Sequence, residues 1–200
     1  MSSTLLLCLV LVTGFLVQHP ESLVTSAREL GGKADNGLTV ELTYVPFDEL
    51  VAGSDIIVRG RVRSVSTRLS TDQRFVLTQY EVTPTHFFKR PQTEKGGPVD
   101  SRSVFVTLLG GAGQFNGLEL ATRVNIFPET EIFRQGEDLI VFLAKNESEP
   151  GTFLLNGGPF GAFRVKGRIV AYMTHAVREK HPDEPLTALE QRISETLAKR

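Results

Sequence analysis

Apolar and polar residues alternate with a period of two over much of this chain, and that pattern predicts β-strands. From Asp55 to Thr67, apolar or small residues fall on one face and arginines on the other. Gly60 inside this long run indicates a bend or bulge, and Pro84 is expected to end regular pairing of the next strand. Runs rich in β-branched and aromatic residues predict further strands at 74–82, 103–109, 118–126, 138–143, 152–155 and 162–173.

Helical spacing of apolar residues is confined to two segments. The first covers residues 47–52 and ends at Gly53. The second covers residues 187–199, where Thr187 and Glu190 have the spacing of a capping box. Its apolar stripe consists of Leu189, Ile193 and Leu197.

Many short strands with two helices predict a mainly β protein. We expect a small antiparallel barrel of five to seven strands, closed or partly open, with a short N-terminal helix and a C-terminal amphipathic helix. The oligonucleotide/oligosaccharide-binding (OB) barrel fits the long bent first strand best, and a small sandwich is the alternative. One domain is expected to cover residues 39–200.

The N-terminal region predicts export from the cytoplasm. Leu5 to Val17 is an apolar run of 13 residues, followed by the small residues Thr25-Ser26-Ala27. A helix of that length spans roughly 20 Å, which is too short for a bilayer core of ~30 Å. We therefore predict a signal peptide at 1–27, a secreted or periplasmic location and no membrane span after cleavage; a retained anchor is the alternative. Residues 28–38 are polar and glycine-containing, which predicts a flexible leader.

The charge balance argues against a nucleic-acid binder. Without residues 1–27, which include the acid Glu21, the chain keeps 22 basic and 22 acidic side chains. Proteins that bind nucleic acid obtain most of their affinity by neutralising phosphates. Cys8 is the only cysteine and lies in the apolar run, so the rest of the chain has no disulfide.

Glycines between Val106 and Leu120 raise the question of a phosphate cradle. Such a cradle needs a helix to follow the glycines, but the residues after Gly117 are typical of a strand. Asn116-Gly117 is a preferred pair for a two-residue hairpin turn. The sequence therefore predicts a hairpin here.

Arg59, Arg61 and Arg63 lie on one face of the predicted long strand and are the candidate binding residues. Residues two apart on a strand are ~6.6 Å apart, so three guanidinium groups could meet a row of anionic groups. The favoured interpretation is a solvated face neutralised by carboxylates such as Glu81 or Asp72. An anionic polymer or a protein in the cell envelope is the expected class of partner.

No pattern of catalytic or metal-ligating residues stands out. His86, His175 and His181 lack the close spacing of a helical zinc site, and no G-x-S-x-G motif is present. We therefore expect no cofactor, no metal and no catalysis, and predict a binding or interaction module. A hydrolase that uses one of these histidines with a carboxylate is the alternative, as is an anion or single-strand nucleic-acid binder through the arginines.

Several segments of the chain resemble the turns and strands of one family of proteins. Ser54–Val62, the Gly110-Gly111 turn, Phe133–Glu137 leading into Leu139–Leu143, and Gly157–Val165 resemble bacterial exported β-barrel domains of unassigned function. The resemblance covers about Phe47 to Met173 and involves turns that precede strands. It implies an envelope or secreted protein with an accessory or binding role, and it supplies no site residue.

Overall fold

The computed structural model describes residues 22–41, 43–90, 102–125, 132–173 and 182–199. The mainly β architecture predicted from the sequence is confirmed. The described helices are α1 (Leu23–Glu29), α2 (Phe47–Gly53) and α3 (Leu186–Ala198), with a 3-10 turn at Gly158–Gly161. The described strands are β1 (Lys33–Leu38), β2 (Ile56–Leu69), β3 (Val76–Lys89), β4 (Val104–Leu109), β5 (Gly111–Phe115), β6 (Leu118–Val124), β7 (Asp138–Lys145), β8 (Phe153–Leu155), β9 (Ala162–Lys166), β10 (Ile169–Tyr172) and β11 (Glu184–Pro185).

Five strands of the larger sheet form a ring in the order β7-β2-β3-β4-β8, because β8 also pairs with β7. One edge of β7 pairs with β2, and its other edge is shared by β9 and β8. From β9 the sheet continues through β10 to β11. The purely antiparallel arrangement expected from the sequence is wrong for two described pairs, because β4–β8 and β1–β6 are parallel.

The long strand β2 is bent where the sequence predicted it. Its register with β3 shifts between Arg59 and Gly60 and again around Arg63. A Cβ at Gly60 would lie 2.6 Å from the carbonyl oxygen of Thr83, so the two backbones approach more closely there than any side chain allows. The regular pairing of β3 ends at Pro84, as expected: Pro84 lies opposite Gly60, and the register shifts before the next pair, Arg59 with His86. The strand itself continues to Lys89. The register shift at this point explains how proline is accommodated within a strand.

The apolar side chains form cores on both faces of the ring. Inside, alternate residues of β2 such as Val58 and Val62 pack with Tyr80 of β3, and all three are almost fully buried. Outside, helices α2 and α3 cover Ile57 of β2 and Phe142 of β7. Strand β7 is buried on both faces for this reason, which explains its uninterrupted apolar sequence.

The C-terminal helix packs against the sheet through the apolar stripe that the sequence predicted. Leu189 and Ile193 are fully buried against the outer face of the ring. The predicted capping box is wrong, because the helix begins at Leu186 after Pro185 and no side chain caps it. Thr187 therefore lies inside the first turn, where it cannot act as the N-cap residue.

Residues 22–38, which belong to the predicted signal peptide and leader, contribute to the fold. Residues 1–21 lie outside the described part of the chain, but residues 22–27 belong to α1 and its cap. The prediction of a flexible leader at 28–38 is wrong, because β1 pairs with β6 along its whole length in a three-stranded sheet with β5. None of the helices described here has the length and apolar character needed to cross a membrane.

Candidate functional site

The arginine-bearing face of β2 forms one wall of a cleft. Val58, Gly60 and Val62 point inward and are buried, which leaves the residues between them on the outer face. The cleft has a volume of about 640 Å³. Its lining residues are Arg59, Arg61, Val62, Arg63, Thr83, Thr85, His86 and Asp138. All three predicted binding residues therefore share one cleft.

Arg59 at one end of the cleft is bound by two carboxylates. Its Nη2 donates to Oδ2 of Asp138 over 2.7 Å, and its Nη1 donates to Oε1 of Glu190 over 3.4 Å. The two side chains of the Arg59–Asp138 pair are only 27% and 25% exposed. The hydrogen bond to Asp138 raises the pKa of Arg59 above its ordinary value. Arg59 thus joins β2 to β7 and to α3.

Arg63 at the other end of the cleft pairs with Glu81 of β3. Its Nη1 lies 3.1 Å from Oε1 of Glu81, and the arginine side chain is 67% exposed. Glu81 also accepts hydrogen bonds from Ser103 at 2.8 Å and from Ser64 at 2.9 Å. These two hydroxyls, with the positive charge of Arg63, lower the pKa of Glu81. An exposed ion pair of this kind contributes little to stability by itself.

Arg61, between the other two arginines, has no carboxylate of its own. It is exposed, and it lies opposite Thr83 of β3 and opposite Asp138 of β7 in the sheet register. Asp138 directs its carboxylate to Arg59 instead. Within the described ranges, no hydrogen bond or ion pair involves the Arg61 guanidinium. Its five N–H donors are therefore available to a ligand in the cleft.

The favoured sequence interpretation, in which carboxylates neutralise the arginines, is correct for two of the three residues. Glu81 was among the expected partners, whereas Asp72 lies beside Arg74 and Ser70 in the β2–β3 turn. Asp138 and Glu190 were not predicted as partners of Arg59. They are 79 and 131 residues away along the chain, and no local pattern marks them.

His86 is the one predicted histidine that lies within the described residues, and it is exposed in this cleft. Its ring packs edge-on against Phe88, with 4.6 Å between the ring centroids. No hydrogen bond joins this imidazole to a carboxylate in the described part of the chain. His175 and His181 lie outside that part. Among the residues that were described, no group of His, Cys, Asp and Glu could hold a metal ion.

The glycine-rich stretch is a hairpin, as the sequence predicted. Asn116 and Gly117 both have positive φ, 51° and 82°, and Phe115 pairs with Leu118 across the turn. Positive φ at both turn residues is the geometry of the type I′ hairpin. The glycines themselves form β5, and β6 follows where a phosphate cradle would need a helix.

Comparison with known proteins adds no assignment to this geometry, because no protein-family model matches the chain and no curated protein matches its sequence.

Proposed function

We propose that this protein is a non-catalytic interaction module that acts outside the cytoplasm and binds a carboxylate-bearing segment of another protein through Arg61. The export component is supported by the apolar run Leu5 to Val17 near the N-terminus. The binding component is supported by the cleft on β2. Its main support is one observation, the exposed Arg61 guanidinium that no described carboxylate binds.

A single carboxylate matches this cleft in shape and charge. The planar guanidinium presents parallel N–H donors that fit the two oxygens of a carboxylate. Strands hold Arg61 on a rigid backbone, since β3 and β7 flank it on both sides. Asp138 and Glu81 already neutralise the neighbouring arginines, so a ligand with more than one negative charge would be repelled by these carboxylates.

A polyanion such as single-stranded nucleic acid fits the cleft poorly. Its affinity depends on the number of phosphates that unpaired cations neutralise. One available guanidinium corresponds to only about threefold weaker binding between 50 and 200 mM salt. The near-neutral charge of the whole chain, −1, adds no attraction. We therefore favour an acidic protein segment over the anionic polymer that the sequence left open.

We further infer that the ring of five strands is a small closed barrel of the OB type. The order β7-β2-β3-β4 is that of a Greek key, in which the fourth strand returns beside the first. Strand β8 then completes the circle between β4 and β7. Five strands in a Greek-key barrel are typical of that type.

A hydrolase that uses His86 is the weaker alternative. A general base needs a partner that orients its imidazole, and Asp138 is the acid among the described residues that line the same cleft. The carboxylate of Asp138 accepts hydrogen bonds from both Nε and Nη2 of Arg59, so both of its oxygens face Arg59 and neither is bonded to His86. These contacts favour binding over catalysis at this cleft.

The proposal is tested by titrating the exported protein with a short peptide whose one charged group is a glutamate side chain, and measuring the dissociation constant by NMR. Arg61→Gln should weaken binding about tenfold, the effect of about 1.4 kcal/mol expected for a charge-assisted hydrogen bond. Arg168→Gln is the matched control, because Arg168 is an exposed arginine in the β9–β10 turn away from the cleft. This control should bind like the unmodified protein.

Two parallel titrations distinguish the alternatives. The same peptide with glutamine in place of the glutamate should not bind, and an oligothymidine should bind more weakly than the acidic peptide. Equal affinity of Arg61→Gln and the unmodified protein contradicts the proposal. Tighter binding of the oligothymidine would instead assign the cleft to nucleic acid, and turnover of an ester substrate that Arg61→Gln retains and His86→Ala loses would assign it to a hydrolase.

A further inference from the structure

The N-terminal helix α1 is part of the folded domain, and this bears on where the chain is processed during export. We propose that the export cleavage takes place before Ser22, so that the exported protein keeps α1. The sequence pattern alone favoured cleavage after Ala27, which would remove five of the seven residues of α1 together with its N-cap residue Ser22. The inference rests on the export that is part of the proposed function.

Helix α1 has the contacts of a permanent structural element. Leu23 and Ala27 are 5% and 0% exposed and pack with Val76 of β3 and Leu120 of β6. The backbone N–H of Leu23 donates to the carbonyl oxygen of Gln73 over 2.9 Å. These contacts connect the helix to both sheets. A segment discarded during export would have no reason to match the surface of the folded domain.

Hydrogen bonds from residues next to α1 in the sequence also cap both ends of the helix. The Ser22 hydroxyl accepts a hydrogen bond from the N–H of Thr25 over 3.2 Å, as an N-cap residue does. At the other end the N–H of Gly32 donates to the carbonyl oxygen of Ala27 over 2.7 Å. Gly31 and Gly32 have φ of 79° and 103°, which turns the chain directly into β1. Cleavage after Ala27 would remove the acceptor of this turn.

A cleavage position upstream of Ser22 is available in the sequence. Gly14 is a small residue, and the eight apolar residues from Leu5 to Val12 lie within the length range of the apolar part of a signal peptide. We expect cleavage after Gly14. The residues between that bond and Ser22 then form the N-terminus of the exported protein.

The test is to express the full chain of 200 residues in a bacterial host and to determine the N-terminus of the exported protein by intact mass and N-terminal sequencing. The inference predicts an N-terminus upstream of Ser22. An N-terminus at Arg28 overturns the inference but leaves export intact. An uncut chain at the outer face of the membrane also overturns it, and an uncut chain in the cytoplasm contradicts the proposed export as well.

A second measurement asks whether α1 stabilises the exported protein. Leu23→Ala should lower Tm by about 5 °C, because it removes a buried side chain from the contact with β3 and β6. Leu30→Ala is the matched control, since Leu30 follows α1 but is 72% exposed, and its Tm should not change. If the exported Leu23→Ala variant has the same Tm as the Leu30→Ala variant and the unmodified protein, the inference is wrong.

Discussion

Arg59 and Arg61 lie two residues apart on the same face of β2, yet their surroundings differ. Arg59 lies where β7 and α3 bring two carboxylates to it, and its side chain is 27% exposed. Arg61 lies just beyond that contact, exposed and without a described carboxylate. The comparison shows that the role of an arginine on a strand is decided by the elements that pack beside it. Arg59 connects α3 to the sheet, whereas no described carboxylate binds Arg61, and for that reason we propose Arg61 as the ligand-binding residue.

Gly60 connects these two arginines, and its substitution should have the largest effect. Gly60→Ala places a Cβ 2.6 Å from the carbonyl oxygen of Thr83 and from Cγ1 of Val82, so β2 and β3 must move apart. We expect a loss of about 2–3 kcal/mol in the free energy of unfolding, measured with denaturant. Gly37→Ala is the control, because no atom lies within 4 Å of its added Cβ. Equal stability of both variants would show that the bend between the arginines is not imposed by Gly60.

Asp138→Asn should leave Arg59, like Arg61, with hydrogen-bond donors that a ligand can use. The variant removes the main partner of Arg59, and we expect it to lower the free energy of unfolding by about 1–2 kcal/mol. The acidic peptide should bind severalfold more tightly, since a second guanidinium becomes available in the cleft. Calorimetric unfolding and the peptide titration measure the two effects.

Asp35→Asn is the matched control for that experiment. Asp35 pairs with Arg123 at the same 2.7 Å separation, but these side chains are 41% and 73% exposed, so the pair contributes little. The control should change the unfolding free energy by less than about 0.5 kcal/mol. If Asp35→Asn and Asp138→Asn are equally destabilising, burial does not account for the contribution of the Arg59–Asp138 pair.

The sequence predicted those parts of the fold and site that depend on near neighbours. Alternation placed the three arginines on one face, Gly60 indicated the bend, and Asn116-Gly117 indicated the hairpin. The partners of Arg59 could not be predicted, because Asp138 and Glu190 are distant along the chain and reach it only through the folded arrangement of β7 and α3.

The N-terminal strand was missed for a related reason. Residues 33–38 are polar and contain glycine, so locally they look like a loop. Their strand conformation comes from parallel pairing with β6, where Lys33 lies opposite Glu119. None of the residues of β1 is buried, so this strand does not need the alternating apolar residues that mark a half-buried strand.

A smaller effect is expected at the Arg63 end of the cleft. Hydrogen bonds from Ser103 and Ser64 lower the pKa of Glu81 in the folded protein. A lowered carboxyl pKa contributes stability above the unfolded value of about 4.3, and this contribution is lost as the pH falls through the folded value. Glu81→Gln should therefore be less stable than the unmodified protein at pH 7, and the difference should shrink below about pH 4. A difference that is the same at both pH values would contradict this account of Glu81.

The most direct test of the difference between Arg59 and Arg61 is to follow the Nε–Hε NMR signals of the arginines while the acidic peptide is added. The account predicts that the Arg61 signal shifts and saturates with the peptide, while the Arg59 signal, held by Asp138, stays in place. A peptide that binds while the Arg61 signal does not move would contradict the central claim.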